Sequence, residues 1–215
     1  RPEPARQDQA RRAVAGEPGA VEGLGVSLST AGLFGNAYAG RRVLVPLVVR
    51  DGGPAVLLTQ RTDHLTDHAG QISFPGGRRD DTDTSYAFAA LREAHEEVGL
   101  ESEFVEILGQ LPSYVTGTSF HITPVVALVS PHHTITTNVN EVEFAFEVPL
   151  SFLMNPQNHR LHEWDRDGVV RSWYSMPYPA TSPNKDPLQA DYFIWGATAG
   201  MIRNFYRFLL AANSL

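Results

Sequence analysis

The sequence predicts an α/β protein, an α/β/α sandwich with a mixed central sheet. Three observations predict it. Short apolar segments of strand length recur at 43–49, 55–61, 104–110 and 120–129. Two segments carry helical periodicity instead, one over about 84–98 and one closing the chain from Ile194 to Ala212. An apolar share of 42% in 215 residues is enough to fill a core between the layers.

The elements follow in order. Residues 1–25 are charged and rich in Ala, Gly and Pro, which reads as an N-terminal arm or short helix ahead of a single domain over 26–215. Val43 to Val49 is a strand, and Pro46 marks it as an edge or a bulge. Ala55 to Arg61 is a second strand. Gln71 to Phe74 is a third, ending in Pro75-Gly76-Gly77, where two glycines permit a tight turn and close approach of backbone to a ligand. The helix comes next, with Asp83 or Thr84 as N-cap and Gly99 in the left-handed position after its last turn. Phe104 to Gln110 and Phe120 to Val129 are strands. From Asn138 to Val148 acidic and apolar residues alternate, so Val142, Phe144, Phe146 and Val148 are expected on the core side of one strand. Phe152 to Leu161 holds a short helix and loop, and Val169 to Met176 a strand of a peripheral hairpin. Pro177 to Ala190, with Pro179, Pro183 and Pro187, reads as a mobile loop bordering the active site.

Chemistry concentrates in the first helix. Ala87, Ala90, Leu91, Ala94 and Val98 form its apolar stripe, and Glu93, Glu96 and Glu97 are placed roughly opposite. These glutamates do not serve helix stability. Glu93 and Glu97 are like charges at i,i+4, at the end where the macrodipole disfavours anions. A hard divalent cation, which prefers carboxylate oxygen, would explain their retention, whereas a plain solvated acidic face would not need them there.

These residues carry a family resemblance. Gly77, Asp83 and Arg92-Glu93-x-x-Glu96-Glu97-x-Gly99-Leu100 resemble the Nudix box, G-x5-E-x7-R-E-U-x-E-E-x-G-U with U aliphatic. Asp83 replaces the first Glu, eight residues rather than seven precede Arg92, and Ala94 is small for its position. Leu57-Leu58-Thr59-Gln60-Arg61, Gly70 and Phe74-Pro75-Gly76-Gly77 are similar to the signature of the coenzyme A pyrophosphatase branch. That branch also shows the eight-residue spacing, but has Ser or Ala at Thr62 and Arg at Thr66. Segments 119–126 and 194–199 are similar to later parts of the same branch.

The resemblance implies a Nudix-type α/β/α sandwich that uses Mg²⁺ or Mn²⁺ to hydrolyse a nucleoside diphosphate derivative, here CoA or acyl-CoA, into 3′,5′-ADP and (acyl-)phosphopantetheine. Glu93, Glu97, Glu96 and the carbonyl of Gly76 are its implied metal ligands. Glu96, Arg92 and Glu141 are the implied catalytic set. Arg92 is expected to reach back toward Asp83 and orient the glutamates, or to act as a simple i,i+4 partner of Glu96. Glu141 is a candidate base or further ligand, with a solvent-facing strand residue as the alternative. Arg61, Arg78 and Gly77 are the expected substrate contacts, with Arg41, Arg42 and Arg79 as further cations nearby. Other substrates such as NADH or ADP-ribose stay open, as does a catalytically silent nucleotide-binding sensor on the same fold.

Composition narrows the partners. A net charge of −7 without a basic patch argues against nucleic acid. No apolar run reaches the ~18 residues of a membrane span. The chain has no cysteine, which suits a reducing compartment, so a cytoplasmic enzyme is expected, with a homodimer as one option. The start lacks Met and a leader-like apolar run, as expected of a trimmed chain. His64, His68, His132 and His133 read as loop histidines, because neither cysteine nor a helical His-x3-His pair accompanies them.

Overall fold

The structure is a computed structural model that describes residues 40–65, 68–117, 119–166, 168–179 and 192–212. The expected N-terminal arm lies outside the described residues. A mixed eight-stranded sheet forms the middle layer. Its strands are β1 (Arg41–Val48), β2 (Ala55–Arg61), β3 (Ile72–Ser73), β4 (Gly76–Arg78), β5 (Val105–Gln110), β6 (Tyr114–Val115), β7 (His121–Val129) and β8 (Val142–Pro149). Among the described strands only β1 and β7 run parallel, paired from Arg41↔Ile122 to Val48↔Val129; the other pairings are antiparallel.

Helix α1 (Tyr86–Val98) covers one face of this sheet. Ala90, Ala94 and Val98 have no exposed surface and pack with Leu44, Val48, Leu57 and Val125. Two alanines at the contact let helix and sheet approach closely. Each fully buried Leu or Val beneath them contributes roughly 1.5–3 kcal/mol. The short helix α2 (Leu150–Leu153) follows β8, and helix α3 (Gly196–Ala212) covers the opposite face through Ala199, Met201, Ile202 and Phe205. A three-stranded sheet of β9 (Arg160–Arg166), β10 (Val169–Tyr178) and β11 (Tyr192–Trp195) adds Met176 and Ile194 to the same core. The molecule is thus the expected α/β/α sandwich with a mixed central sheet.

Several elements differ from the sequence expectation. β1 is a central strand, not an edge or bulge, despite Pro46. It pairs with β2 only at Leu47 and Val48 and with β4 only from Arg41 to Val43. Leu44 donates to Pro75 O, and Pro46, two residues on, faces the same side where that ladder is interrupted. Its missing N–H therefore breaks no ladder bond. Gly76 and Gly77 belong to a strand instead of a turn, because β4 pairs them with Val43 and Arg42. The short helix starts at Leu150 and ends at Leu153, and a 3-10 turn at Pro156–Asn158 leads into β9, which begins before Leu161. The hairpin of β9 and β10 matches the expected position, but β10 continues through Pro177 to Tyr178. The rest of the expected proline loop, 180–190, lies outside the described residues. Ile194 belongs to β11, paired with Met176, so the last helix begins two residues later, after the strand.

The alternation along β8 is also broken. Arg61 pairs with Val142 while Gln60 pairs with Phe144, so Glu143 is an extra residue in the ladder. Val142 packs under α1, whereas Phe146 and Val148 pack on the α3 side. Phe144 joins Phe146 and Tyr192 there. The four apolar residues therefore do not share a face.

Candidate active site

The site is built where α1 lies against β4. The helix starts at Ser85, whose hydroxyl accepts the Phe88 N–H at 3.0 Å. Neither Asp83 nor Thr84 is the cap. Asp83 has only 1% of its surface exposed and its carboxylate is already engaged. It accepts the Asp80 N–H at 2.7 Å and two bonds from Arg92, Nε at 3.1 Å and Nη2 at 3.1 Å. The guanidinium beside it holds the Asp83 carboxyl below the ordinary aspartate range. Gly99 does close the helix as expected, with φ 65° and its N–H donated to His95 O at 2.8 Å.

Arg92 reaches three acids, Asp83, Glu93 and Glu96. Nη1 donates to Glu96 at 2.9 Å, and Nη2 donates to Glu93 at 3.0 Å and to the Arg78 carbonyl at 3.0 Å. All three guanidinium nitrogens are thus bonded, and one cation ties the loop after β4 to two glutamates of the helix. Hydrogen bonds, first that to Asp83, push its pKa further up, so it is a permanent cation.

Glu97 is the main departure from the sequence reading. It is 4% exposed and does not lie opposite the apolar stripe. It is seven residues from Ala90 and three from Ala94, two spacings that share a helix face. Its Oε2 accepts the Gly76 N–H at 3.0 Å, and its Oε1 stands 3.8 Å from Arg61 Nη1. Burial pushes its carboxyl up to about 7. Glu93 and Glu141 add to that rise, while the Gly76 amide and Arg61 oppose it. Burial, and then the charges of Glu96 and Glu141, likewise raise Glu93 against the pull of Arg92. Glu141 thus adds its negative charge at both Glu93 and Glu97.

Gly77 explains how Glu93 fits. A Cβ at this position would collide with the Glu93 carboxylate. The absent side chain makes room for a carboxylate rather than for a turn. Glu141 arrives from far along the chain. Thr136 N–H bonds Val98 O and Asn138 N–H bonds Glu97 O, both at 2.9 Å, so this loop caps the end of α1. Glu141 O then accepts the Thr62 N–H at 3.1 Å. Sequence reasoning missed this docking. Its one signal was the pair of turn formers Asn138 and Asn140.

Other expected residues are placed differently. Glu96 is turned outward with its side chain 53% exposed, held by Arg92. Arg78 has an exposed side chain and offers its carbonyl to Arg92. Arg79 donates to Asp83 O at 3.0 Å. Arg42 is buried, with its guanidinium 3.9 Å from the centre of the Tyr86 ring. The histidines do not converge: His64 lies on Asn140 O, His68 on Gln71, and His133 on Ser130 O.

Among the described residues no three His, Asp or Glu side chains form a ready-made coordination shell. The glutamates are instead engaged by Arg92, Arg61 and the Gly76 amide. Carboxylate oxygen is the donor a hard divalent cation prefers, and Glu93 and Glu97 offer it one helical turn apart on α1. Mutual repulsion between Glu93 and Glu97 is what such a cation would relieve. No helix among the described residues is long and apolar enough to cross a membrane.

A sandwich whose Arg-Glu-x-x-Glu-Glu helix packs on a glycine-bearing strand defines the class, the Nudix proteins. The NUDIX domain model matches residues 39–189, and the chain belongs to that family. It is 42% identical over 162 residues, 75% of its length and 78% of the relative's, to the "Uncharacterized Nudix hydrolase NudL" of Escherichia coli O7:K1 (strain IAI39 / ExPEC). A protein of the same description from Enterobacter sp. (strain 638) is 42% identical over 165 residues, again 75% of this chain and 78% of the relative. A solved MutT/nudix family protein from Enterococcus faecalis aligns with 17% identity and a TM-score of 0.48, over 82% of this chain and 63% of that one.

Proposed function

We propose that this protein is a Mg²⁺- or Mn²⁺-dependent diphosphatase that hydrolyses CoA or acyl-CoA to 3′,5′-ADP and (acyl-)phosphopantetheine. The observation that carries this reading is the convergence of one sequence motif on one carboxylate. Arg61 ends the Leu-Leu-Thr-x-Arg segment and Gly76 lies in Phe-Pro-Gly-Gly, and both face Glu97, at 3.8 Å and 3.0 Å. A motif spread over β2 to β4 thus meets the acidic helix at one point, which supports a role in the site rather than in the fold alone.

Glu93, Glu97 and the Gly76 carbonyl would hold the cation. Bound there, it supplies neutralisation of diphosphate charge and a water of lowered pKa. The rest is the work of this chain. Arg92 orients Glu93 and Glu96. Glu141, whose charge is felt at Glu93 and Glu97, is the candidate acceptor for the water's proton. Arg61 and Arg78 supply positive charge to the phosphates, and Gly77 leaves room for the Glu93 carboxylate. Water adds to one phosphorus and the bridging oxygen leaves with the other, so the products are two phosphomonoesters.

The test is a purified-protein assay with Mn²⁺ against CoA, ADP-ribose and NADH, with products separated by chromatography. The expected result is 3′,5′-ADP and phosphopantetheine from CoA. Robust ADP-ribose cleavage with intact CoA would overturn the choice of substrate.

A further inference from the structure

We propose that Arg61 is the built-in counter-cation of the acidic pocket. In the structure it faces Glu97, and it turns to a substrate phosphate when a divalent ion and a diphosphate bind. The inference deepens the metal-dependent reading above and rests on it.

Two arginines serve this pocket and they are used differently. Arg92 has every guanidinium nitrogen bonded. Arg61 does not. It is the last residue of β2, and alternation from Leu57 and Thr59 puts it on the face covered by α1. Its side chain is 18% exposed, yet its Nε is buried without a hydrogen-bond partner. Its Nη1 stands 3.8 Å from Glu97 Oε1, too far for a hydrogen bond, so the link is charge alone.

A buried donor without an acceptor is unfavourable and calls for a reason. Charge supplies it. Glu93 and Glu141 add negative charge at Glu97, and Arg92 is already committed to Asp83, Glu93 and Glu96. Arg61 is the cation that faces Glu97. A divalent ion at Glu93 and Glu97 would bring like charge beside the guanidinium and push it off Glu97. The diphosphate that accompanies the ion offers acceptors suited to a guanidinium fork. Arg61 is therefore a positioning residue before substrate arrives and a phosphate contact afterwards.

Mn²⁺ binding to the full chain without substrate, read from the electron paramagnetic resonance of the free ion at pH 8 and constant ionic strength, tests this directly. Arg61→Gln removes the resident charge and is expected to bind Mn²⁺ at least about tenfold more tightly, the effect a neighbouring charge ordinarily exerts. Arg61→Lys keeps the charge but loses the fork, so it should bind Mn²⁺ as the unaltered protein does while KM rises. A merely structural arginine would lower the melting temperature of both variants and tighten neither. Unchanged or weaker Mn²⁺ binding in Arg61→Gln overturns the inference, as does equal tightening in Arg61→Lys. An unaltered protein that binds no Mn²⁺ overturns the metal-dependent reading itself, and the inference with it.

Discussion

The amide of Gly76 donates to Glu97 Oε2 at 3.0 Å, across 21 residues of sequence. This bond joins strand β4 to helix α1 through a carboxylate that burial keeps hard to ionise. It explains why the last glutamate of the helix is inside the molecule while Glu96, one residue earlier, is outside.

Glu97→Gln keeps the shape and an oxygen for the Gly76 amide but removes the charge. Turnover is expected to fall at least about a hundredfold with the fold retained. Steady-state kinetics with a parallel thermal melt checks this, and turnover equal to that of the unaltered protein would exclude the assigned role.

Neighbouring glycines should separate fold from activity. Gly77→Ala pushes a methyl into the Glu93 carboxylate, so activity should drop while stability changes by no more than about 1–3 kcal/mol. Gly76 has φ 152° and its Cβ would meet the backbone of Arg42 and Val43, so Gly76→Ala should cost more stability than Gly77→Ala. Denaturant unfolding of the pair decides; the reverse order would be inconsistent with the packing of β4 on β1.

Asp83 predicts an acid limit. Its carboxyl titrates below the ordinary value of 3.8 because the Arg92 bonds favour the charged form. A lowered folded-state pKa contributes stability that is present above the unfolded value and lost as pH falls through the folded one. Asp83→Asn should therefore be less stable at pH 7, by about 1–3 kcal/mol. The gap to the unaltered protein should narrow below pH 3.8. Melting temperatures from pH 2 to 7 would show whether it does.

Ala94 has no exposed surface where α1 meets the sheet. Ala94→Leu should destabilise by about 1–3 kcal/mol through overpacking. It should also lower activity, because the helix that shifts carries Glu93 and Glu97. Full stability in this variant, measured by urea unfolding, would mean that helix and sheet are not pressed together there.

Local relationships were readable from the chain. The Arg92–Glu96 pair and the closure at Gly99 depend on residues one turn apart, and the structure contains both. The reach of Arg92 back to Asp83 was legible as one of two options, since nine residues of loop and helix suffice to make it. The Gly76-Gly77 turn was misread because glycine permits two things, positive φ and close approach, and composition does not distinguish them. Gly77 serves the second, for Glu93. The shared face expected along β8 failed at Glu143, where a single extra residue, invisible to alternation, reverses the side on which Val142 lies.

By itself, then, the order of residues determined the layers, the acidic helix and the family to which the chain belongs. Helical and strand periods, and the spacing of Arg92, Glu93, Glu96 and Glu97, are properties of short windows. Tertiary structure alone decided that Glu97 is buried, that Arg61 faces it with a buried, unbonded Nε, and that Glu141 adds its charge there from another loop. Those facts arise from contacts between distant segments, where burial and neighbouring charge, not identity, set what a carboxylate or a guanidinium can do.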